Sequence, residues 1–557
     1  MLAKIYLILA GQAPNPFDGL YRFDSFDWAI LIPYLIVLLI LSLYGIHRCW
    51  LVYTYMKCRQ NVPSRESDPF EWPAVTIQLP IYNERYVIER LLHAVSRINY
   101  PRRLLDIQVL DDSTDETQEV ADACVKRYQA RGLPIRYLHR SDRTGFKAGA
   151  LAEGLNSATG ELVAIFDADF MPTPDFLRRT TPYFRNPKVA VVQARWTYLN
   201  RGYSDLTEVE TLMQDGHFVI EQGARSRSGV FFNFHGTAGV WRRAAIEDAG
   251  GWQNDTLTED TDLSYRAQLR GWQFLYLPDV ECPSELPVEM NAFKTQQARW
   301  SKGLIQTAKK ILPQVLRSDV SVRVKAEAFI HLTAGISSPL MVVFSALLLP
   351  ASIVRLNQGW FQSILTDLPG ILSSVSIAAF YMASQRALYP QGWKKSMVRL
   401  PLMIALGIGL SLSNAKAVLE ALFGVKSDFV RTPKYNINGQ SGSWHGKKYR
   451  KGGGWMPYLE IAFGLYFTYV FIFMIQDKNY RTAPFMLLFV WGFLYIGVMS
   501  AAQRWWEPLR QGAADVSSSE VYSAAVAPVL PSLPRGSETL TFLDSAPSVE
   551  GGESVRI

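Results

Sequence analysis

The run Leu162-Val163-Ala164-Ile165-Phe166-Asp167-Ala168-Asp169 carries five apolar residues straight into two carboxylates one residue apart. Asp167 and Asp169 offer hard oxygen ligands. Such ligands suit Mg2+ or Mn2+ and leave coordination positions open for phosphate oxygens. A second pair, Asp111-Asp112, followed by Ser113, ends another largely apolar run, Leu105-Asp106-Ile107-Gln108-Val109-Leu110. Two acid-tipped runs point to one ligand site far more strongly than either does alone. Other metal-ligating residues do not compete with them. Cys49, Cys58, Cys124 and Cys282 lack metal-site spacing and read as unpaired thiols. The histidines, His217 and His235 among them, lack partner spacing and read as packed or hydrogen-bonded structural residues.

These acids need elements to hold them. Short apolar runs rich in Val, Ile and Phe read as strands covered on both faces. The sequence alternates a strand at 74–80, a helix at 84–98, a strand at 105–110, a helix at 114–130, a strand at 135–138, a helix at 147–157 and the strand before Asp167. In the first helix Val87, Ile88, Leu91, Leu92 and Val95 fall at helical spacing. The alternation predicts an α/β domain with a mostly parallel sheet. Ligands of such sheets bind beyond the carboxyl ends of the strands, which is where all four acids fall.

Composition places this domain in a membrane protein. Of 557 residues 48% are hydrophobic and 19% charged, apolar for a soluble enzyme. The excess lies outside 72–316, in runs long enough to cross a bilayer at 28–53, 329–354, 364–382, 456–475 and 484–500. The stretch 400–424 is interrupted by Ser411, Ser413, Asn414, Lys416 and Glu420 and sits between two basic loops. It is expected to lie in the interface without crossing. The net charge of +7 reads as cytoplasmic loops beside anionic lipid, and no nucleic-acid partner is expected. The positive-inside rule puts the N-terminus outside and the middle of the chain in the cytoplasm. The tail from 511, rich in Ser, Ala, Pro and Gly, is expected to be disordered.

Four motifs follow in order: Asp111-Asp112-Ser113, Asp167-Ala168-Asp169, Thr258-Glu259-Asp260 and Gln296-Gln297-Ala298-Arg299-Trp300. Together they resemble the D, DxD, TED, QxxRW series of membrane-embedded, processive family 2 glycosyltransferases. That group holds cellulose synthase, the plant cellulose-synthase-like glucan and mannan synthases, and chitin and hyaluronan synthases. The likeness covers about 72–320. It extends to Phe429-Val430-Arg431-Thr432-Pro433-Lys434, which resembles the FxVTxK gating loop with Arg431 in place of Val.

The resemblance implies a GT-A type nucleotide-sugar domain at 72–290, inserted between transmembrane helices. Around it would lie an external segment (1–27), one span (28–55), interfacial helices carrying QxxRW (291–325), two spans (326–383), the interfacial helix (400–424), a cytoplasmic gating loop (425–454), two spans (455–502) and the tail (511–557). It implies metal ligation by Asp167 and Asp169, with Asp111 and Asp112 toward the nucleoside. Lys147 and Arg299 would meet the phosphates, and Asp260 would be the base for inversion. Gly236, Thr237, Glu259, Gln296 and Trp300 would line the acceptor side. Phe429, Arg431, Thr432 and Lys434 would form the gate. The residue types suit these tasks: an indole stacks on a pyranose face, and an Arg fork grips phosphate.

The activity this implies is an inverting, processive synthase. It would extend a cellulose-like β-glucan from UDP-glucose at the cytoplasmic face and export it. The wording Gln-Leu-Pro-Ile-Tyr-Asn-Glu and Asp-Asp-Ser-Thr-Asp looks closest to the plant glucomannan and xyloglucan-backbone branch. A GDP-mannose-dependent mannan or glucomannan synthase is therefore a standing alternative. A single transfer to a lipid, as in ceramide glucosyltransferase, is another. The expected partners are the nucleotide sugar, a growing polysaccharide or glycolipid, the bilayer of a plasma, inner or Golgi-type membrane, and accessory export proteins. The intact acids argue against an inactive scaffold.

Overall fold

The computed structural model describes residues 24–63, 71–355, 360–426, 429–449, 454–476 and 483–521. The chain divides into two units, 1–505 and 506–557. In the second, helix runs to Val521, beyond the 511 boundary expected for a disordered tail. Residues 522–557 of that tail and 1–23 of the external segment lie outside the described residues. All that follows concerns the first unit.

Seven strands form one sheet: β1 (Val75–Ile81), β2 (Leu105–Asp111), β3 (Ile135–His139), β4 (Leu162–Ile165), β5 (Val189–Tyr198), β6 (Gly239–Arg242) and β7 (Gln273–Ser284). Their order is β3-β2-β1-β4-β6-β5-β7. β3, β2, β1 and β4 run parallel, as does β5 with β7. Only β6 is antiparallel to its neighbours, so the sheet is mostly parallel, as the alternation predicts. β1, β2 and β4 are almost wholly buried, which explains their apolar runs. Two buried polar pairs fix their register. Thr76 donates to Asp106 at 3.1 Å and Gln78 to Gln108 at 3.0 Å, each opposite its ladder partner. A one-residue slip would separate both pairs and turn each strand over.

The principal helices of this part are α1 (Ser25–Cys58), α2 (Ile88–Ser96), α3 (Thr117–Gln129), α4 (Phe146–Asn156), α5 (Asp205–Asp215), α6 (Glu259–Leu269) and α7 (Met290–Arg317). α2 buries Ile88, Leu91, Leu92 and Val95, the stripe read from the sequence. α7 carries the QxxRW residues and is pinned by two ion pairs. Lys294 meets Glu460 at 2.6 Å, and Lys302 meets Glu420 at 2.8 Å. Glu420, one of the polar residues that interrupt the 400–424 stretch, thus has a partner on α7.

Among the described residues six helices are long and apolar enough to cross a membrane: Ser25–Cys58, Val322–Val354, Leu365–Leu388, Trp393–Leu422, Met456–Gln476 and Ala483–Gln503. That is one more than the five expected. The additional one stands apart, because 61% of its apolar stretch is buried by the rest of the protein against 17% to 44% in the others. Both of its ends touch the α/β part or α7. Arg399 pairs with Asp205 of α5 at 3.4 Å, and Lys309 of α7 donates to the Leu422 carbonyl at 2.9 Å.

Candidate active site

Because β2, β1 and β4 are adjacent and parallel, the residues after them converge. They enter one open cavity of about 200 Å³. Asp112 arrives from β2, Tyr82 and Glu84 from β1, and Asp167 and Asp169 from β4. Lys147 comes from α4, Glu259 and Asp260 from the start of α6, and Gln296, Arg299 and Trp300 from α7. Phe429, Arg431, Thr432 and Lys434 supply the remaining wall.

The acids here are matched by cations. Lys147 Nζ lies 2.5 Å from Asp167 Oδ1 and 3.0 Å from the Gly236 carbonyl. Lys434 Nζ lies 2.8 Å from Asp169 Oδ2. Arg140 grips Asp112 through both oxygens, at 2.7 and 2.6 Å. Arg431 pairs with Glu84 at 3.1 Å and donates to the carbonyls of Tyr82, at 3.0 Å, and Asn83. Burial pushes the Glu84 carboxyl up to about 8, with Arg431 opposing it. Burial also raises Asp167, against the pull of Lys147.

Asp167 and Asp169 form an all-oxygen pair in a region that attracts two ammonium groups. Among the described residues no set of three or more His, Cys, Asp or Glu side chains could enclose a metal. The pair therefore fits a divalent cation whose other ligands come from phosphate oxygens and water.

Asp260 opens α6, where its Oδ1 accepts the Thr261 N–H at 2.7 Å. Burial, then the charge of Glu259, push its carboxyl up to about 7. A carboxylate poised there can take a proton near neutral pH. Thr258 stands at the N-cap of α6, but its hydroxyl makes no cap hydrogen bond and meets that of Thr307 at 3.0 Å. Gly236 has φ +76°, and a Cβ on it would sit 3.0 Å from Asp260 Oδ2. Glycine is needed there both for backbone conformation and for room. Arg299 lies over the Phe429 ring at 4.7 Å and donates to the Val430 carbonyl at 3.2 Å, joining α7 to the loop.

Two expected site residues stand elsewhere. Asp111 is fully buried behind the cavity and accepts from Tyr137 Oη at 2.5 Å and the Ser113 N–H at 2.9 Å. Its neighbour Asp112, on the opposite face of the chain, takes the cavity position. Thr237 is also buried, and its hydroxyl accepts the Asp167 N–H at 2.9 Å. It holds the backbone of Asp167 without lining the cavity. The basic loop is occupied as well: Lys448 pairs with Glu116 at 2.8 Å, and the Arg431 guanidinium lies 4.6 Å from the Tyr449 ring. Arg450 and Lys451 of that loop lie outside the described residues.

Sequence reasoning missed Glu84, Arg140, Trp196 and Tyr198. Glu84 carried a usable signal, because it follows the strand between two acid-tipped ones. Trp196 and Tyr198 end β5, a strand with no flanking motif.

A family model described as glycosyltransferase like family 2 matches residues 73–303. The chain is 46% identical to glucomannan 4-beta-mannosyltransferase 2 of Arabidopsis thaliana over 252 residues, 44% of this chain and 47% of that protein. It is 33% identical to glucomannan 4-beta-mannosyltransferase 9 of the same plant over 447 residues, 77% of this chain and 81% of that protein. Among solved structures, a mannosyltransferase from Pyrobaculum calidifontis in complex with GDP-Man and Mn2+ aligns with a TM-score of 0.46 at 22% identity, over 64% of this chain and 99% of that one. The chain spans about half to two thirds of the length of the first relatives it matches, 47% and 65% of two of them. The α/β part has the GT-A fold, and the match to a plant relative over four fifths of that relative's length extends well beyond it. The chain belongs to the family 2 glycosyltransferases, in the company of plant glucomannan 4-beta-mannosyltransferases.

Proposed function

We propose that the chain is an inverting, processive glycosyltransferase that extends a 4-beta-linked mannan or glucomannan from GDP-mannose. The observation that carries the reading is the meeting of Asp260, the Asp167–Asp169 pair and the Arg299–Trp300 pair in one cavity. The relatives favour the mannosyl donor. UDP-glucose, the first expectation from sequence, becomes the lesser one.

In this reading Asp260 takes the proton of the acceptor hydroxyl. The freed oxygen attacks the anomeric carbon from the face opposite the diphosphate, and the nucleoside diphosphate leaves with the bonding electrons. Arg299, Lys147 and Lys434 meet the charge that develops on it. Asp167 and Asp169 would hold Mg2+ or Mn2+, which supplies further neutralisation of the leaving group when bound. Asp112 and Arg140 face the nucleoside end. Trp300 stacks under the acceptor sugar.

The loop at 429–449 is tied to the catalytic domain through Glu84, Asp169 and Glu116, which supports placing both on the cytoplasmic side. The 400–424 stretch then starts and ends on that side and lies along the interface beneath the domain, leaving five crossings. The remaining helices would conduct the polymer outward. A donor screen on purified protein with linkage analysis tests the reading. GDP-mannose should yield 4-beta-linked mannosyl polymer in the presence of Mn2+ or Mg2+. Consumption of UDP-glucose alone would restore the glucan synthase, and single-sugar product on lipid would remove processivity.

A further inference from the structure

We propose that Glu460, one turn into the membrane helix Met456–Gln476, is a positioning residue for sugar transfer: through Lys294 it fixes α7, and with α7 Arg299, Trp300 and the turn that carries Asp260. This rests on the glycosyltransferase reading of the cavity. At about 100° per residue, α7 presents two opposed faces. Asn291, Lys294, Lys302 and Lys309 fall within an arc of about 80°, and Arg299, Trp300, Gly303 and Thr307 fall on the other side. The first face meets membrane helices. Lys294 Nζ lies 2.6 and 2.7 Å from the two Glu460 oxygens and 3.4 Å from Ser500 Oγ. The Asn291 side-chain amide donates to the Ser500 carbonyl at 3.2 Å. The second face meets the catalytic domain. Arg299 and Trp300 enter the cavity. The Thr307 hydroxyl meets that of Thr258 at 3.0 Å, and Gln306 Oε1 accepts the Leu257 N–H at 2.9 Å. A Cβ on Gly303 would stand 2.6 Å from Thr258 Cγ2, so helix and turn are in close contact. Thr258 precedes Glu259 and Asp260. The acceptor-side ring and the proton-accepting carboxylate therefore both depend on where α7 lies.

Stability alone does not account for this pair. Lys294 and Glu460 are both buried. An ionisable side chain within a membrane helix is costly, and apolar side chains of similar volume often stabilise a buried site as well as an ion pair does, or better. What an ammonium and a carboxylate add is direction: they meet at one depth and one rotation of α7, where apolar surfaces could slide. The support under Lys294 is stiff. A Cβ on Gly497 would sit 2.9 Å from the Ile461 nitrogen, so the Ala483–Gln503 helix lies with its backbone against the helix of Glu460. The nucleotide end stands apart from this linkage. Its cations Arg140, Lys147 and Lys434 come from other elements and pair with Asp112, Asp167 and Asp169. A displaced α7 should therefore slow transfer and leave nucleotide binding largely intact.

The test uses the full chain with GDP-mannose as donor and mannohexaose as acceptor, and scores transfer kcat, GDP affinity and thermal stability separately. Lys294→Met combined with Glu460→Met removes both charges at similar volume, so thermal stability should match or exceed wild type. Transfer kcat should nevertheless fall at least about tenfold, since a misplacement of about 1 Å can cost a hundredfold, while GDP affinity stays within about twofold. Lys294→Arg keeps the cation and should retain most of the transfer rate. Glu460→Asp keeps both charges and draws the anchor back by one methylene. It should cut kcat about threefold at unchanged GDP affinity, and it stays informative if the double variant does not fold. A folded double variant with wild-type kcat would overturn the assignment, as would wild-type kcat in Glu460→Asp if that variant alone folds. So would a GDP affinity that falls in step with kcat, the mark of general loosening. A wild-type chain that consumes no nucleotide sugar would instead sink the functional reading on which the assignment rests.

Discussion

The two ends of the cavity are built on opposite rules. At one end four acids meet cations: Asp112 with Arg140, Glu84 with Arg431, Asp167 with Lys147 and Asp169 with Lys434. At the other, Trp196, Tyr198 and His235 present flat or neutral groups, two of them with unmet polar atoms. The first end can exchange its internal ion pairs for a diphosphate and a divalent cation without leaving a charge bare. Breaking a buried pair without replacement costs about 3–5 kcal/mol, so a neutral ligand would be a poor exchange there. The second end has no ion pair to exchange, and His235 already spends its ring nitrogens on Gln222, His217 and Asn233. In the proposed reading Asp260, which abuts Gly236, takes the acceptor proton as the donor bond breaks.

This contrast can be broken in several places. The largest effect is expected where the acceptor proton is taken. Asp260→Asn should cut turnover about 10²- to 10⁴-fold, the contribution of a general base, while nucleotide affinity stays near wild type. Wild-type turnover in that variant would remove Asp260 from the chemistry. Asp167→Asn and Asp169→Asn should each cost about a hundredfold or more in kcat/KM and blunt the response to Mn2+, since metal neutralisation contributes several kcal/mol. Full activity of either variant in chelator would end the charged-end account.

The pH profile sharpens the same division. Asp260 is protonated below about 7 and cannot then accept a proton. The rate should therefore fall as pH drops through 7, approaching about tenfold per unit. A flat profile between pH 5 and 8 would contradict it. Arg431→Val removes the clasp on the Tyr82–Glu84 turn and should raise the donor KM about tenfold, some 1.4 kcal/mol, with little change in kcat. The smallest effect should come from behind the cavity. Tyr137→Phe deletes a hydrogen bond to Asp111 and should cost about 1 kcal/mol of stability with turnover unchanged. Lost turnover there would return Asp111 to the site.

The charged end was more legible in the sequence than the neutral end, for a physical reason. Asp112, Asp167 and Asp169 follow apolar runs whose length and composition declare buried strands, and strand ends in parallel sheets mark ligand sites. The same rule applied to β1 would have yielded Glu84. It misplaced Asp111, because consecutive residues of an extended chain point to opposite sides and only one of Asp111 and Asp112 can face the ligand. Thr237 fell to the same alternation beside Gly236. The neutral end depends on β5, β6 and a π-helical turn, Gly216–Gln222, which lie between motifs and bring Trp196, His217 and His235 together across 39 residues of chain. No local spacing encodes that meeting. The apolar character of 400–424 was legible, and so were the charges that interrupt it. That Glu420 answers Lys302 could be known only from the packed helices.

The charged end is tested most directly by titrating GDP into the purified chain with Mn2+ and then with chelator. Asp167 and Asp169 each hold a lysine, so metal and nucleotide should bind as a set. Affinity should drop at least about tenfold in chelator, and Asp169→Asn should bind GDP alike in both conditions. Equal affinity of the wild-type chain with and without the metal would contradict the account.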